Sequence, residues 1–284
     1  MCKILDFFTE KSFLQDVFSA LIGTGTALFV FYLTIVHERE KAKKILKKET
    51  NNGIRNFKNL ITSSINNAES TISNLTEMIE SYDKDLYTFQ LLKFSPNKSF
   101  ERLDELLKND SYFQSYSKKY GKDNVDTYNR ISLIIDYFNM QITQLWEMVE
   151  KSQKFDYQRK MNFKEFGNSI LNSIAKLTVI EDSGIAPVDI AILGDLLVDF
   201  HTNMTTESDL KYLYIFNRKV LEQVLRRYIT NSKVRDIIEI VRESSLIFDE
   251  IPKQNKHHKE DLENIKKIMS ESLEKYKQET QNLK

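Results

Sequence analysis

Three carboxylates, Asp189, Asp195 and Asp199, stand in the apolar stretch SGIAPVDIAILGDLLVDF from Ser183 to Phe200. Asp195 and Asp199 are one helical turn apart, so on a helix they could share a proton or a metal ion. The wet face of an amphipathic helix accounts for the same spacing and is the preferred reading. Arg218, Lys219, Arg226 and Arg227 alternate with aromatic residues between Lys211 and Tyr228, a pattern able to hold phosphate, a nucleotide or RNA. A solvated helix face again explains it more simply. Four histidines, His37, His201, His257 and His258, and the single Cys2 cannot build a Cys/His zinc cage. His257 and His258 read as part of a solvated linker.

Other chemistry lacks its spelling. No G-x-x-x-x-G-K occurs, and the glycines are too dispersed for a dinucleotide loop. No histidine follows an arginine by four to six residues, the signature expected of a helical RNase of the HEPN type. The expectation is a non-enzymatic chain with no catalytic, cofactor-binding or metal residues and no cofactor. Lys plus Arg equal Asp plus Glu at 41 each, which argues against dedicated DNA binding because no net field draws the polyanion. Cys2 cannot pair internally, and it precedes the apolar segment where a lipoprotein signal would follow the reverse order.

The segment VFSALIGTGTALFVFYLTIV, Val17 to Val36, carries no charge and at 1.5 Å per residue spans roughly 30 Å, the thickness of a bilayer's hydrocarbon core. No small-x-small cleavage site follows it before HEREKAKK, so it reads as a retained transmembrane helix rather than a signal peptide. Lys3 and Lys11 precede it, whereas Arg39, Lys41, Lys43, Lys44, Lys47 and Lys48 follow it closely. That asymmetry puts the short N-terminus, residues 1–16, outside and everything after the span in the cytoplasm of a single-pass cell-membrane protein. The six basic residues also stand where anionic headgroups attract them. Within the span, Ser19, Gly23, Thr24, Gly25 and Ala27, with Thr26, form a small-residue patch of the kind that lets helices pack closely in lipid, which points to a homo-oligomer.

Elements that position these residues are all helical. Only seven glycines and three prolines punctuate 284 residues, too few for the turns of a β fold. After a basic juxtamembrane stretch, residues 37–84 read as a stalk, one helix or a pair broken at Asn51, Asn52 and Gly53. Its stripe Phe57, Ile61, Ile65, Ala68, Ile72, Leu75, Ile79 and Tyr82 is nearly heptad, with a solvated face of Asn59, Ser63, Asn66, Asn67, Ser70 and Ser73 opposite. Leu86 to Phe94 reads as an apolar segment ending at a helix stop, Ser95, Pro96 and Asn97. Short helices are expected at Phe100–Lys108 and Tyr112–Gly121. Longer ones follow at Val125 to about Lys154, Tyr157–Ile180, Ser183–Phe200, Asp209–Asn231 and Ser232–Phe248. Pro252 and KQNKHHK read as a linker to a charged helix, Glu260–Lys284, whose thin stripe would pair with the stalk or another subunit.

The expected fold class is therefore all-α: one N-terminal transmembrane helix (17–36), a stalk (37–84), a cytoplasmic helical core (85–251) and a linker with a C-terminal helix (252–284), with coiled-coil-like segments. The plan resembles, in architecture alone, bacterial anti-phage membrane effectors and bacterial cell-division scaffolds. Abundant Lys, Asn, Ile and Ser fit an AT-rich bacterial genome. The function expected is a membrane-anchored, oligomeric interaction scaffold binding a cytoplasmic protein, nucleotide or RNA. The alternative is a defence effector that perturbs the bilayer on a cytoplasmic signal.

Overall fold

A computed structural model describes residues 11–93, 98–121, 124–203, 210–281 and 283, the side chains at 11–14 and 111 excepted. Every element among them is helical. They are α1 (Lys11–Lys84), α2 (Ser99–Leu107), α3 (Asp110–Tyr120), α4 (Val125–Val179), α5 (Pro187–Asn203), α6 (Leu210–Gln223), a 3-10 turn (Leu225–Tyr228) and α7 (Ser232–Gln281). Cys2 and the helix stop at Ser95, Pro96 and Asn97 lie outside the described residues.

Two long helices form the spine. In α4, Tyr128, Ile131, Ile135, Phe138, Leu145 and Val149 are buried at alternating three- and four-residue spacing, broken only around Gln141 and Ile142. The same alternation runs through α7 from Val234, Ile237 and Val241 to Leu262, Met269 and Tyr276. Two such stripes pack as a coiled-coil seam. The pairing is antiparallel, because Arg130 meets Glu279 at 2.8 Å, Phe138 meets Tyr276 at 6.3 Å between ring centroids, and Phe163 meets Phe248 at 5.2 Å.

Around this spine sit two apolar cores. The proximal core takes Phe57, Ala68, Leu75 and Tyr82 from α1, Leu103 from α2, Tyr112 and Tyr116 from α3, and the facing parts of α4 and α7. Tyr276 reaches Ser64 of α1 by a buried 2.8 Å hydrogen bond. The distal core joins the remaining halves of α4 and α7 to Leu193 and Phe200 of α5, Phe216 and Val220 of α6, and Leu225 of the 3-10 turn. Tyr214 stacks on Phe248 there at 4.2 Å.

Between the cores lies a polar joint. From Val149 to Phe163, α4 buries no apolar side chain, only Asp156; from Ile251 to Leu262, α7 buries only Asn255 and His258. Segment 85–93 crosses over this joint, and is called the strap below. Tyr87 of the strap stacks on Phe248 at 4.9 Å and Phe89 on His258 at 5.3 Å, while the Asn255 amide donates to the Leu86 carbonyl at 2.7 Å.

Several expectations need correction. Of the two forms expected for the stalk, the unbroken one holds: α1 is one helix of 74 residues. The two helices expected between Val125 and Ile180 are one of 55, because the buried row keeps its phase across Lys154 and Phe155 through Asp156. Leu86 to Lys93 is strap, not helix. Pro252 lies inside α7, since the seam continues on both sides of it and burial holds the helix together where one backbone bond is missing. His258 is accordingly buried at 3% exposure rather than solvated; His257 is exposed. Asn67 also turns inward, while Asn59, Asn66, Ser70 and Ser73 stay exposed. The charged C-terminal helix does pair with the stalk, through Lys277 and Glu69 at 2.9 Å.

Gly167 lets α4 and α6 approach closely in the distal lobe. A Cβ there would lie 2.3 Å from a Leu213 methyl carbon, inside any tolerable contact. Gly167→Val is expected to lower stability by about 1–3 kcal/mol in thermal melts of the detergent-solubilised protein. Adding Leu213→Ala should recover part of that loss through non-additivity.

Candidate functional site

From Gln15 to Gly53, α1 carries almost no contact with the rest of the chain, the first buried side chain being Ile54. Its most apolar 18-residue window has a mean hydropathy of 1.8, and none of it is buried. Length and composition suffice to cross a membrane. Thr26 and Thr34 turn their hydroxyls back to the carbonyls of Ile22 and Val30, at 2.7 and 2.9 Å. These polar groups are therefore satisfied without water, as an apolar solvent requires.

Ser19, Thr24 and Ala27 are exposed, and a Cβ placed on Gly23 or Gly25 would meet nothing within 4 Å. At about 100° per residue, Ser19, Gly23 and Ala27 share one strip of the helix and Gly25 faces away. The glycines thus answer to no contact inside the described chain. Next along the helix, Arg39, Lys41, Lys43, Lys44, Lys47 and Lys48 are all exposed and make no ion pair among the described residues. Arg39, Lys43 and Lys47 line one strip, and Lys41, Lys44 and Lys48 a neighbouring arc. The remaining face presents Ala42, Ile45 and Leu46 with Glu38 and Glu49. This is a basic collar on a free-standing helix, directly after the apolar segment.

The second cluster expected from sequence sits on the distal lobe and is largely engaged internally. Arg218 pairs with Glu222 at 2.7 Å and lies 5.8 Å from the Tyr214 ring; Lys219 is 3.6 Å from Asp199. Arg227 reaches buried Asp189 at 3.0 Å, and Tyr228 donates to the same carboxylate at 2.5 Å while accepting the Ala186 N–H at 2.9 Å. Arg227 and Tyr228 therefore tie the 3-10 turn to the start of α5. Arg226 is exposed and has no ion pair among the described residues. The four basic residues share a region, but carboxylates offset three of their charges.

Of the three aspartates, only Asp189 is buried; Asp195 and Asp199 are exposed, with Asp199 also accepting from Asn203 at 2.8 Å. No group of three or more His, Cys, Asp or Glu side chains converges among the described residues. Sequence reasoning missed an open groove of about 560 Å³ between α4 and α5, lined by Asn168, Asn172, Leu197, Val198 and His201. It arises where two helices diverge, and no spacing within either helix signals it. Sequence also missed the polar joint, although the alternation continuing through Asn255 and His258 carried the signal.

Compared with protein families, curated proteins and solved structures, the chain matches none.

The Asp189 carboxylate is the buried member of its cluster and Arg227 the half-exposed one, so the two substitutions should differ. Asp189→Ala is expected to cost about 2 kcal/mol, because Tyr228 loses its acceptor inside the lobe. Arg227→Ala should cost about 0.5 kcal/mol. Denaturant titration followed by circular dichroism measures both, and equal losses would show that Asp189 acts only as the arginine's counter-ion.

Proposed function

We propose that this chain is a single-pass membrane protein, spanning the bilayer with residues 17–36, and that it works as an oligomeric, non-enzymatic scaffold presenting its helical bundle to a cytoplasmic partner. The observation that carries this reading is the contrast within α1: exposed on every side through its apolar stretch, then buried along one stripe from Ile54 onward. An apolar surface of that extent left in water would aggregate, whereas lipid removes the penalty. The basic collar beside it supports an orientation with the bundle inside the cell. The unoccupied space at Gly23 and the strip it shares with Ser19 and Ala27 support self-association in the membrane.

A second reading, a defence effector that breaches the bilayer on a cytoplasmic signal, draws on the unbroken run of α1 from the apolar stretch into the proximal core. Movement of the bundle would be carried along such a helix into the membrane. Leakage of a dye from liposomes holding the purified protein separates the two readings, since a scaffold leaves the vesicles sealed.

Topology has its own test. Alkaline phosphatase fused after Lys284 is expected to be inactive in a bacterial host, because the collar holds that flank inside; activity comparable to an exported control overturns the orientation.

Assembly is tested at the glycine. Gly23→Leu keeps the segment apolar enough to insert while pushing a neighbouring helix away, so mass photometry in detergent should show a smaller oligomer than wild type. An unchanged mass would remove the small-residue strip as the contact.

A further inference from the structure

We propose that the polar joint between the two cores is a hinge, latched by the strap 85–93, on which the distal lobe moves relative to the proximal lobe. Four observations converge on one layer of the molecule. The apolar seam lapses there on both long helices, between Val149 and Phe163 in α4 and between Ile251 and Leu262 in α7. Pro252 falls in the same layer and removes the amide that would bond the Phe248 carbonyl, which is where helices bend. Buried polar atoms collect there without hydrogen-bond partners: Asp156 Oδ1, Gln254 Oε1 and both ring nitrogens of His258. Each such atom costs free energy in the closed state that contact with water on opening would recover.

The fourth observation is the latch. The strap touches both lobes at once, with Tyr87 on Phe248 of the distal core and Phe89 on His258 beside Tyr82 of the proximal core. Hydrogen bonds tie its backbone to both long elements, from Asn255 of α7 to the Leu86 carbonyl and from the Gln90 N–H to the Tyr82 hydroxyl of α1 at 3.2 Å. Closure therefore depends on a few aromatic faces packed around one imidazole.

Protonation of His258 opposes that packing. Tyr82 of α1 lies against the ring and Asp261 of α7 acts on it electrostatically. The other titratable and charged groups of this layer are Asp83 of α1, Asp85 of the strap, Asp156 and Lys160 of α4 and Lys259 of α7, linked to one another or to Tyr82. Most are already committed, Asp83 to Lys259 and Asp156 to Lys160 at 2.7 Å. Burial lowers the His258 pKa to about 4, against a weaker opposite pull from Asp261. Burial also raises that of Asp156, against the pull of Lys160, so a proton there favours the closed joint and works against the imidazole. A proton arriving on the imidazole thus favours the open joint. An imidazole that takes its proton near pH 6.5 when open and near pH 4 when closed multiplies the open population about 30-fold between pH 7.5 and pH 5.

Hydrogen–deuterium exchange on the full-length protein in nanodiscs reads such openings even when they are rare. Between pH 7.5 and pH 5, protection factors in residues 82–93 and 250–262 should fall about 30-fold, with residues 68–78 and 234–241 unchanged. His258→Phe should abolish that pH dependence. Pro252→Ala, which restores the missing backbone bond, should raise protection in 250–262 at both pH values. An equal fall in all four segments, or a Pro252→Ala variant with unchanged protection at the joint, overturns the hinge. A His258→Phe variant that keeps the fall overturns the imidazole as its trigger.

Discussion

The antiparallel pairing of α4 with α7 is the contact against which every other element is placed. Each helix, at 55 and 50 residues, is about 80 Å long, and neither could stay straight in water on propensity alone. What holds them is the mutual burial of rows such as Ile131, Ile135 and Phe138 against Met269 and Tyr276, then Phe163 and Ile170 against Val241 and Phe248. The shorter helices fill the grooves that this pair leaves open. α1, α2 and α3 serve one end; α5, α6 and the 3-10 turn serve the other. The strap is the price of that division, since the chain must leave α1 where the first set ends.

The two cores differ in how their polar residues are used. In the proximal core, Ser64 and Tyr276 bond across helices, and Tyr128 donates to the Leu107 carbonyl at 2.5 Å. In the distal core, Asn217 donates to Ser244 at 2.9 Å and Asp189 gathers Arg227 and Tyr228. Both sets pin one helix to another within a lobe. The joint between them has polar residues too, but there the imidazole of His258 is surrounded by rings rather than by donors or acceptors. Solvation of that layer is consequently coupled to the seating of Phe89.

Much of the fold was legible because helical period is written directly in residue spacing. Phe57, Ala68, Leu75 and Tyr82 turned inward as their spacing implied, and Gly121, with a φ of 85°, ends the peptide stretch after α3 where a left-handed residue suits a helix terminus. Boundaries were misread where a local breaker competed with a long seam. Pro252 costs α7 something locally yet does not interrupt it, because the surrounding rows remain in register; Gly53, which left the stalk open between one helix and two, does not interrupt α1 either. The exposed apolar stretch of α1 and the exposed basic run after it were legible for a different reason: composition and charge order along the chain need no tertiary information. Neutralisation of the distal basic patch was not legible, since Asp189 lies 38 positions before Arg227 and only the docking of α5 on the 3-10 turn joins them. His258 was hidden by its neighbours, a run of Lys, Asn and His that looks like solvent-facing chain until its phase is counted from Val234.

The unbroken course of α1 turns residue count into geometry. Between the end of the apolar stretch and Ile54, the first inward side chain, every peptide advances the axis by about 1.5 Å and rotates it by about 100°. Azimuth and height of the bundle over the apolar segment are therefore indexed by the number of residues from His37 to Gly53. Loss or gain of a single one in that interval would swing the lobes by more than a quarter turn about the helix axis, while seven would return them nearly to their original bearing, displaced by about 10 Å. Length in this stretch is thus constrained to discrete steps, even though its side chains touch nothing else in the described chain.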